Sequence, residues 1–189
     1  MNVIPHTSDR MLRESARLFA VRGFHGTSIE DIGTACGTSG PAIYKHFSSK
    51  LAILAALLLD ISRQLVDGGR HVVEEAGQAD RALMALITFH ASFAADESDL
   101  IRIQDRDLWS LGTTDRRTVR RLQREYVELW VSVLMEVQPL LSFEVARIRA
   151  HATFGLLNST AHIEGGPSVK VELVRMAERA LRVGAPHPD

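Results

Sequence analysis

The sequence is poor in the features that mark several common protein classes. Among its 189 residues only Cys36 is a cysteine, which excludes an intrachain disulfide and a zinc site built on cysteines. Proline accounts for 6 residues and aromatic residues for 6%, whereas hydrophobic residues make up 46%, as in a folded globular chain. No apolar run approaches the roughly 20 residues that span a bilayer, and the first ten residues lack the pattern of a signal peptide. We therefore expect a cytoplasmic protein without membrane association.

An excess of charge of either sign is also absent. The chain has 22 Lys+Arg and 23 Asp+Glu, a net charge of −1, whereas nucleic-acid-binding proteins usually carry a basic excess. The charge is unevenly distributed, however, because residues 1–50 carry a net +2 and residues 51–189 a net −3. If the first segment binds DNA, so small a surplus predicts few phosphate contacts per subunit and a modest salt dependence.

Helical periodicity dominates the chain. Apolar residues recur at spacings of three and four, and the alternation typical of strands is hard to find, so we predict an all-α protein of about nine helices. We expect the fourth helix to run to about Asp67, with Gly68 and Gly69 weakening or kinking it, because glycine is a poor helix former. The predicted helices cover residues 8–22, 27–36, 39–47, 49–67, 80–95, 99–111, 114–137, 142–159 and 168–183.

Residues 27–50 carry the strongest functional signal. Thr27 and Glu30 have the spacing of a capping box, which predicts the start of a short helix, and Gly37 predicts its end in a tight turn. A second short helix follows from Ser39, and Ser48 is expected to cap the helix after it. Two short helices joined by such a turn form a helix-turn-helix, whose second helix places its first residues in the DNA major groove.

The predicted DNA contacts fall into two groups. Small residues at the start of the second short helix allow close approach to base edges, whereas the polar residues after them suit phosphate oxygens. Lys50, in the first turn of the next helix, is also expected to bind a phosphate. The predicted DNA-binding residues are Thr27, Ser39, Gly40, Pro41, Ala42, Tyr44, Lys45, His46 and Lys50.

This segment and the helix before it resemble the DNA-binding domain of the TetR family of bacterial transcriptional regulators. Gly33 departs from the family pattern, in which alanine is usual, and Pro41 stands where glycine is common. Leu51 replaces a common acidic residue, so the fourth helix lacks a capping box. The residues that carry the resemblance are Phe19, Gly23, Phe24, Thr27, Ile32, Gly37, Ser39, Tyr44, His46, Phe47, Lys50 and Leu54.

The resemblance implies a division of the chain and a mode of action. Residues 1–50 would form a three-helix DNA-binding domain, and residues 51–189 a helical domain for effector binding and dimerisation. The protein would be a homodimer through its last two long helices, 142–159 and 168–183. It would bind double-stranded DNA at a palindromic operator, most simply as a repressor. A small hydrophobic effector, such as an acyl-CoA or another lipid-derived molecule, would release it.

Aromatic and charged residues beyond residue 80 are candidates for the effector site. Six aromatic side chains could line an apolar cavity or simply form core, and Asn158 and His162 could form its polar end. Arg102, Asp105, Arg106 and Trp109 share one helical face, which favours either an anion-binding pocket or a buried ion pair. The candidate ligand-binding residues are Phe89, Phe93, Arg102, Asp105, Arg106, Trp109, Tyr126, Trp130, Phe154, Asn158 and His162.

Several other functions find little support. No nucleophile elbow, phosphate-binding loop or dinucleotide fingerprint occurs, so we do not expect an enzyme or a bound cofactor. His90, His151 and His162 lack metal-ligand spacing, so no metal is expected. Cys36 is better explained as a small apolar filler than as a redox sensor. The alternative function is a helical small-molecule-binding dimer whose DNA-binding head is vestigial.

Overall fold

The computed structural model describes residues 7–163 and 167–182, and within these ranges the chain forms nine α-helices and no strand. This confirms the all-α prediction. The helices are α1 (Thr7–Arg22), α2 (Ile29–Ala35), α3 (Gly40–Ile43), α4 (Lys50–Ala76), α5 (Ala79–Asp96), α6 (Ser98–Asp107), α7 (Thr113–Val137), α8 (Phe143–Asn158) and α9 (Pro167–Arg182). Short 3-10 segments follow α6 (Leu108–Ser110) and α8 (Ser159–His162).

The chain divides into two compact units. The N-terminal unit comprises the residues up to Ile61 together with Asp99–Val119, and the C-terminal unit comprises Ser62–Ser98 together with the residues from Arg120 onward. Most of α6 is therefore grouped with the helix-turn-helix. The predicted division at residue 50 assigns DNA binding to residues 1–50 and effector binding and dimerisation to residues 51–189. This assignment stays a prediction.

The N-cap of helix α2 lies one residue later than the sequence predicts. Ser28, not Thr27, is the N-cap: its Oγ accepts a hydrogen bond from the Asp31 backbone amide at 3.0 Å. The Asp31 carboxylate in turn accepts one from the Ser28 amide at 2.8 Å, which completes the capping box. Thr27 is buried, and its hydroxyl donates to the Gly23 carbonyl oxygen at 2.9 Å, so it is not free to cap. The predicted Thr27–Glu30 capping box is thus wrong by one residue.

Helix α4 differs from the prediction at both ends. Ser49 rather than Ser48 caps its first turn, because the Ser49 Oγ accepts a hydrogen bond from the Ala52 backbone amide at 3.0 Å. The helix then runs without interruption through Gly68 and Gly69 for 27 residues. The predicted end near Asp67 is therefore wrong, and the reason is packing rather than propensity.

The two glycines of α4 admit aromatic rings against the helix backbone. A Cβ at Gly68 would lie 2.4 Å from Cζ of Phe89, and a Cβ at Gly69 would lie 2.7 Å from Cε2 of Tyr126. Since a Cβ atom essentially never makes nonbonded contacts this short, any larger residue would displace these rings. Tertiary packing thus offsets the intrinsic cost of roughly 1 kcal/mol for a helical glycine.

Candidate DNA-binding and effector sites

The turn between α2 and α3 is tight because two glycines permit it. Gly37 has a φ of +65°, a left-handed conformation that glycine adopts without strain, and the Thr38 amide donates to the Gly33 carbonyl oxygen at 2.8 Å. A Cβ on Gly33 would lie 2.9 Å from both the Ser39 carbonyl carbon and the Gly40 nitrogen. Gly33 therefore lets the start of α3 lie directly against α2.

Helix α3 presents a polar strip to the outside. Ile43 is fully buried and anchors the helix, whereas Tyr44 is 54% exposed and Lys45 and His46 are also exposed. The regular α-helix is shorter than predicted, since Tyr44 is its C-cap and only turn hydrogen bonds continue beyond it. We call Tyr44, Lys45 and His46 the polar strip.

The small residues at the start of α3 are not equally accessible. Ser39 is its N-cap but makes no side-chain capping hydrogen bond. Ser39 and Pro41 are exposed, Ala42 is half-buried and Gly40 is buried. An exposed polar strip beside a start with few bulky groups is the arrangement that positions a recognition helix on phosphates and brings it near bases.

Two further residues predicted to contact DNA face inward. The Lys50 ammonium donates to the Phe24 and Thr27 carbonyl oxygens, both at 2.7 Å, and lies 4.4 Å from the centroid of the Phe24 ring. Thr27 is 2% exposed. Both residues hold the turn between α1 and α2, and their contacts with DNA remain predictions that this geometry does not support.

Arg106 stabilises the end of α1. Its guanidinium donates to the Phe19 carbonyl oxygen, which also accepts from the Gly23 amide at 2.8 Å, and at 3.3 Å to the Ala20 carbonyl oxygen, both in the last turn of α1. It also forms an ion pair with the buried Asp107 carboxylate at 2.9 Å. These contacts give Arg106 a structural role in the N-terminal unit, so its predicted role in effector binding has no support here.

The other charged candidates of this segment also belong to the N-terminal unit. Arg102 pairs with Asp99 at 3.5 Å, and Trp109 is 66% exposed, with the guanidinium carbon of Arg116 lying 5.3 Å from its ring centroid. Asp105 is exposed on the same helix. Arg102, Asp105 and Trp109 are thus grouped with the N-terminal unit, whereas the aromatic candidates from Phe89 to Phe93 and from Tyr126 to Phe154 belong to the C-terminal unit.

The C-terminal unit contains a buried aromatic cluster centred on His90. The His90 ring bonds through Nδ1 to the Tyr126 hydroxyl at 3.1 Å and through Nε2 to Oδ1 of Asn158 at 3.0 Å. Its ring stacks on Phe154 with centroids 4.9 Å apart, and Trp130 meets it edge-on at 6.0 Å. We call His90, Tyr126, Trp130, Phe154 and Asn158 the histidine cluster. It joins four of the predicted effector residues.

Burial perturbs both titratable groups of the histidine cluster. It lowers the pKa of His90 to about 4, with the Asn158 hydrogen bond acting in the opposite direction, and it raises the pKa of Tyr126 above its ordinary value. Both groups are therefore neutral at pH 7. His90 was not among the predicted effector residues. The one available signal was a histidine within the apolar run of α5, which requires buried polar partners.

The remaining candidates in the C-terminal unit, Phe89, Phe93 and His162, are not members of this cluster. Phe89 and Phe93 pair with ring centroids 6.0 Å apart, and Phe89 packs against Gly68. His162 ends the 3-10 segment after α8 and is exposed. Their predicted contacts with an effector stay predictions.

The described residues bear on a redox role for Cys36, on metal binding and on membrane insertion. Cys36 is buried, and burial raises the pKa of its thiol, which disfavours the reactive thiolate. Across residues 7–163 and 167–182, no group of three or more potential ligands could hold a metal ion, and no helix is long and apolar enough to cross a membrane.

The fold and the exposed strip define a class: a helix-turn-helix transcriptional regulator with an attached helical unit. Residues 11–57 match the bacterial regulatory proteins of the tetR family, and residues 76–162 match the tetracyclin repressor-like C-terminal domain. The chain belongs to the TetR family, and it is a ligand-responsive transcriptional regulator. The relatives it matches are regulators and not enzymes.

Individual relatives agree with this assignment. The chain is 28% identical to the HTH-type transcriptional repressor KstR2 of Rhodococcus jostii, over 87% of this chain and 83% of that protein. A TetR-family regulator from Bordetella parapertussis has the same fold, with a TM-score of 0.86, 23% identity and 95% coverage of both chains. AibR, solved with isovaleryl coenzyme A and operator DNA, has a TM-score of 0.77 and 18% identity, over 90% of this chain and 97% of that one.

Proposed function

We propose that the protein is a homodimeric repressor that binds a palindromic operator and is released by a small hydrophobic effector of the acyl-CoA type. The observation that carries the DNA-binding part is the polar strip, exposed at the end of a helix whose inner residue, Ile43, is fully buried. Tyr44, Lys45 and His46 donate to phosphates, and the residues from Ser39 to Ala42 approach the bases. The relative KstR2 is a repressor, which supports repression rather than activation.

Exposed apolar residues on the last two helices support the homodimer. Ile148 is 65% exposed and Val145 41% on α8, and Val171 is 49% exposed and Met176 45% on α9. Exposed apolar residues on two helices that pack on each other support an interaction surface there, and a two-fold pairing presents the same surface from both subunits. The two recognition helices would then read half-sites roughly 34–36 Å apart or a multiple of that distance.

The histidine cluster supports an apolar effector. It packs aromatic rings around a hydrogen-bonded polar centre, which is the mixture of groups usual in a small-molecule site. AibR, a protein of the same fold, was solved with an acyl-CoA. An effector releases the operator only if it binds the DNA-free arrangement more tightly than the DNA-bound one. We further propose that the protein acts in the cytoplasm and has no enzymatic activity.

Footprinting tests this function. The full-length protein is mixed with the DNA upstream of its own gene at low salt, with and without a panel of acyl-CoAs of different chain lengths. We expect a protected palindrome that at least one acyl-CoA abolishes. Protection that no acyl-CoA changes would overturn the proposed effector class. If the DNA is unprotected at every salt concentration, the alternative of a vestigial DNA-binding domain would be favoured.

A further inference from the structure

A second candidate site lies on the C-terminal unit, and its lining includes none of the effector residues predicted from the sequence. It is a cavity of about 380 Å³ between α7 and α8. Helix α7 contributes Arg120 and Arg124, and helix α8 contributes Phe143, Arg147 and His151 at successive spacings of four residues. Residues spaced by four lie on one face of a helix, so each helix lines the cavity with a continuous strip. We call this cavity the arginine groove.

The groove has an unbalanced positive charge. Three arginines line it, and Glu128 is the one acidic residue among its lining residues. Within the described part of the chain, Arg124 and Arg147 make neither an ion pair nor a hydrogen bond. The neighbouring Arg121, by contrast, pairs with Glu125. The Arg124 and Arg147 guanidinium groups therefore line one cavity without a neutralising partner among the described residues, which suits an anion with more than one negative charge.

The groove also has apolar surface. Val131, 3% exposed, forms part of its wall, and the Phe143 ring is 51% exposed. An exposed aromatic ring is a platform on which a nucleobase stacks. The volume lies near the lower end of the roughly 300–1,000 Å³ typical of ligand pockets. A phosphorylated nucleoside combines the charge, the flat ring and the modest size that these walls require.

One side chain connects the groove with the histidine cluster. His151 lines the groove, and its ring meets the Phe154 ring edge-on with centroids 6.2 Å apart. Phe154 in turn stacks on His90 and Tyr126. A ligand with a phosphorylated end in the groove and an apolar end toward Phe154 would therefore contact two adjoining surfaces of matching polarity.

We propose that the arginine groove binds the phosphorylated adenosine end of a coenzyme A thioester. Arg124 and Arg147 bind phosphate oxygens, Arg120 adds positive charge, and Phe143 stacks on the adenine. This inference rests on the proposed acyl-CoA effector and adds the residues that recognise its polar end. It also shifts the expected anion contacts from Arg102 and Arg106 of α6 to arginines of α7 and α8.

Calorimetric titration of the full-length protein with coenzyme A and with adenosine 3′,5′-bisphosphate tests the groove. We expect both to bind the wild type, and R124A/R147A to weaken both by at least tenfold. The control R121A removes one positive charge of α7 at a residue that does not line the groove and that pairs with Glu125, so it should leave binding within about twofold. The charge-retaining R124K/R147K should be intermediate, since lysine lacks the bidentate geometry.

Three results would overturn this inference. In the first, the wild type does not bind adenosine 3′,5′-bisphosphate. In the second, R121A and a folded R124A/R147A bind coenzyme A equally well. In the third, ATP displaces coenzyme A when both are present at equal concentrations. If R124A/R147A fails to fold, R124K/R147K replaces it, and binding of coenzyme A by R124K/R147K as tightly as by the wild type would overturn the inference. Operator release is measured separately on the wild type. Release by an acyl-CoA without groove binding would refute only the groove, whereas no release by any acyl-CoA would refute the proposed effector.

Discussion

At the scale of single residues, polar side chains in this protein do two kinds of work that the sequence does not distinguish. Lys45 is exposed on the polar strip, whereas Lys50, five residues later, donates to two carbonyl oxygens within the N-terminal unit. Both are lysines beside a predicted recognition helix. Only the fold around Phe24 separates a candidate phosphate contact from a residue that holds a turn.

The two lysines should respond differently to substitution. We expect Lys50→Met to lower the free energy of unfolding by about 2 kcal/mol, because it removes two hydrogen bonds donated by a charged group. The matched variant Lys45→Met should leave stability nearly unchanged. It should also lower the slope of log affinity against log salt concentration for operator binding by about 1, the value expected for the loss of one phosphate contact. Urea unfolding and binding at several salt concentrations measure the two effects. Unchanged stability of Lys50→Met would contradict the structural role assigned to Lys50.

The buried His90 should make stability depend on pH. Its pKa is lowered from 6.5 to about 4 in the folded protein. Below pH 6.5 the unfolded chain therefore takes up a proton that the folded chain does not, and stability falls as the pH falls toward 4. Between about pH 7 and about pH 5 we expect a loss of about 2 kcal/mol from this group.

Urea unfolding at several pH values checks this dependence. His90→Gln cannot titrate, so its stability should vary less with pH across the same interval. If the wild type and His90→Gln have parallel profiles, then His90 is not a buried neutral histidine in solution.

At the scale of helices, the sequence predicts where regular structure occurs better than where it begins and ends. Helical periodicity located the nine helices of the described residues, since it reflects which face of each helix is buried. Cap positions were displaced by one residue at α2 and at α4. At α2 the reason is the burial of Thr27 against α1, whereas at α4 two successive serines are both able to cap and Ser49 is the one that accepts from the Ala52 amide. Likewise Gly68 and Gly69 look like helix breakers until the Phe89 and Tyr126 rings are placed against them.

The histidine cluster shows the same limit for the site. His90 bonds to Tyr126 and Asn158, which lie 36 and 68 residues further along the chain. The sequence suggests each aromatic residue as a candidate, but local spacing holds no information about such pairings. The helix-turn-helix was easier to predict because its contacts are local, as between Gly33 and Ser39.

Gly33 should be essential for the packing of α2 on α3. Because a Cβ there would lie 2.9 Å from backbone atoms, which cannot move as a flexible side chain can, we expect Gly33→Ala to lower stability by about 1–3 kcal/mol and to weaken operator binding. Gly155→Ala is the matched control: Gly155 also lies in a helix, but nothing lies within 4 Å of the position that a Cβ would occupy there. It should stabilise the helix by about 0.5–1 kcal/mol. Thermal unfolding that ranks the two variants the other way would contradict the close approach.

At the scale of the whole molecule, the near-zero net charge combines a segment of net +2 and one of net −3. The orientation of Lys50 toward carbonyl oxygens reduces the charge available for DNA further. The polar strip must then supply most phosphate contacts, and two subunits double their number. The modest salt dependence predicted from the sequence is therefore expected for the dimer.

The proposed dimer depends on the apolar residues of α8 and α9. We expect Ile148→Lys, which places a charge at a 65% exposed apolar position, to raise the dimer dissociation constant at least tenfold, since an unpaired charge at an interface is costly. Leu140→Lys is the control, because Leu140 is fully exposed outside any helix. Sedimentation of both variants measures the two dissociation constants. Equal values would place the interface elsewhere.

The polar strip is proposed to bind operator phosphates, and the affinity of Tyr44→Ala for a series of operator variants tests this most directly. Binding is measured against DNA sequences that differ at single positions, with acyl-CoA binding measured in parallel. We predict that Tyr44→Ala weakens binding to all sequences by a similar factor and leaves acyl-CoA binding intact, because phosphate contacts position without reading sequence. A changed base preference with undiminished overall affinity would contradict the proposed role of the strip.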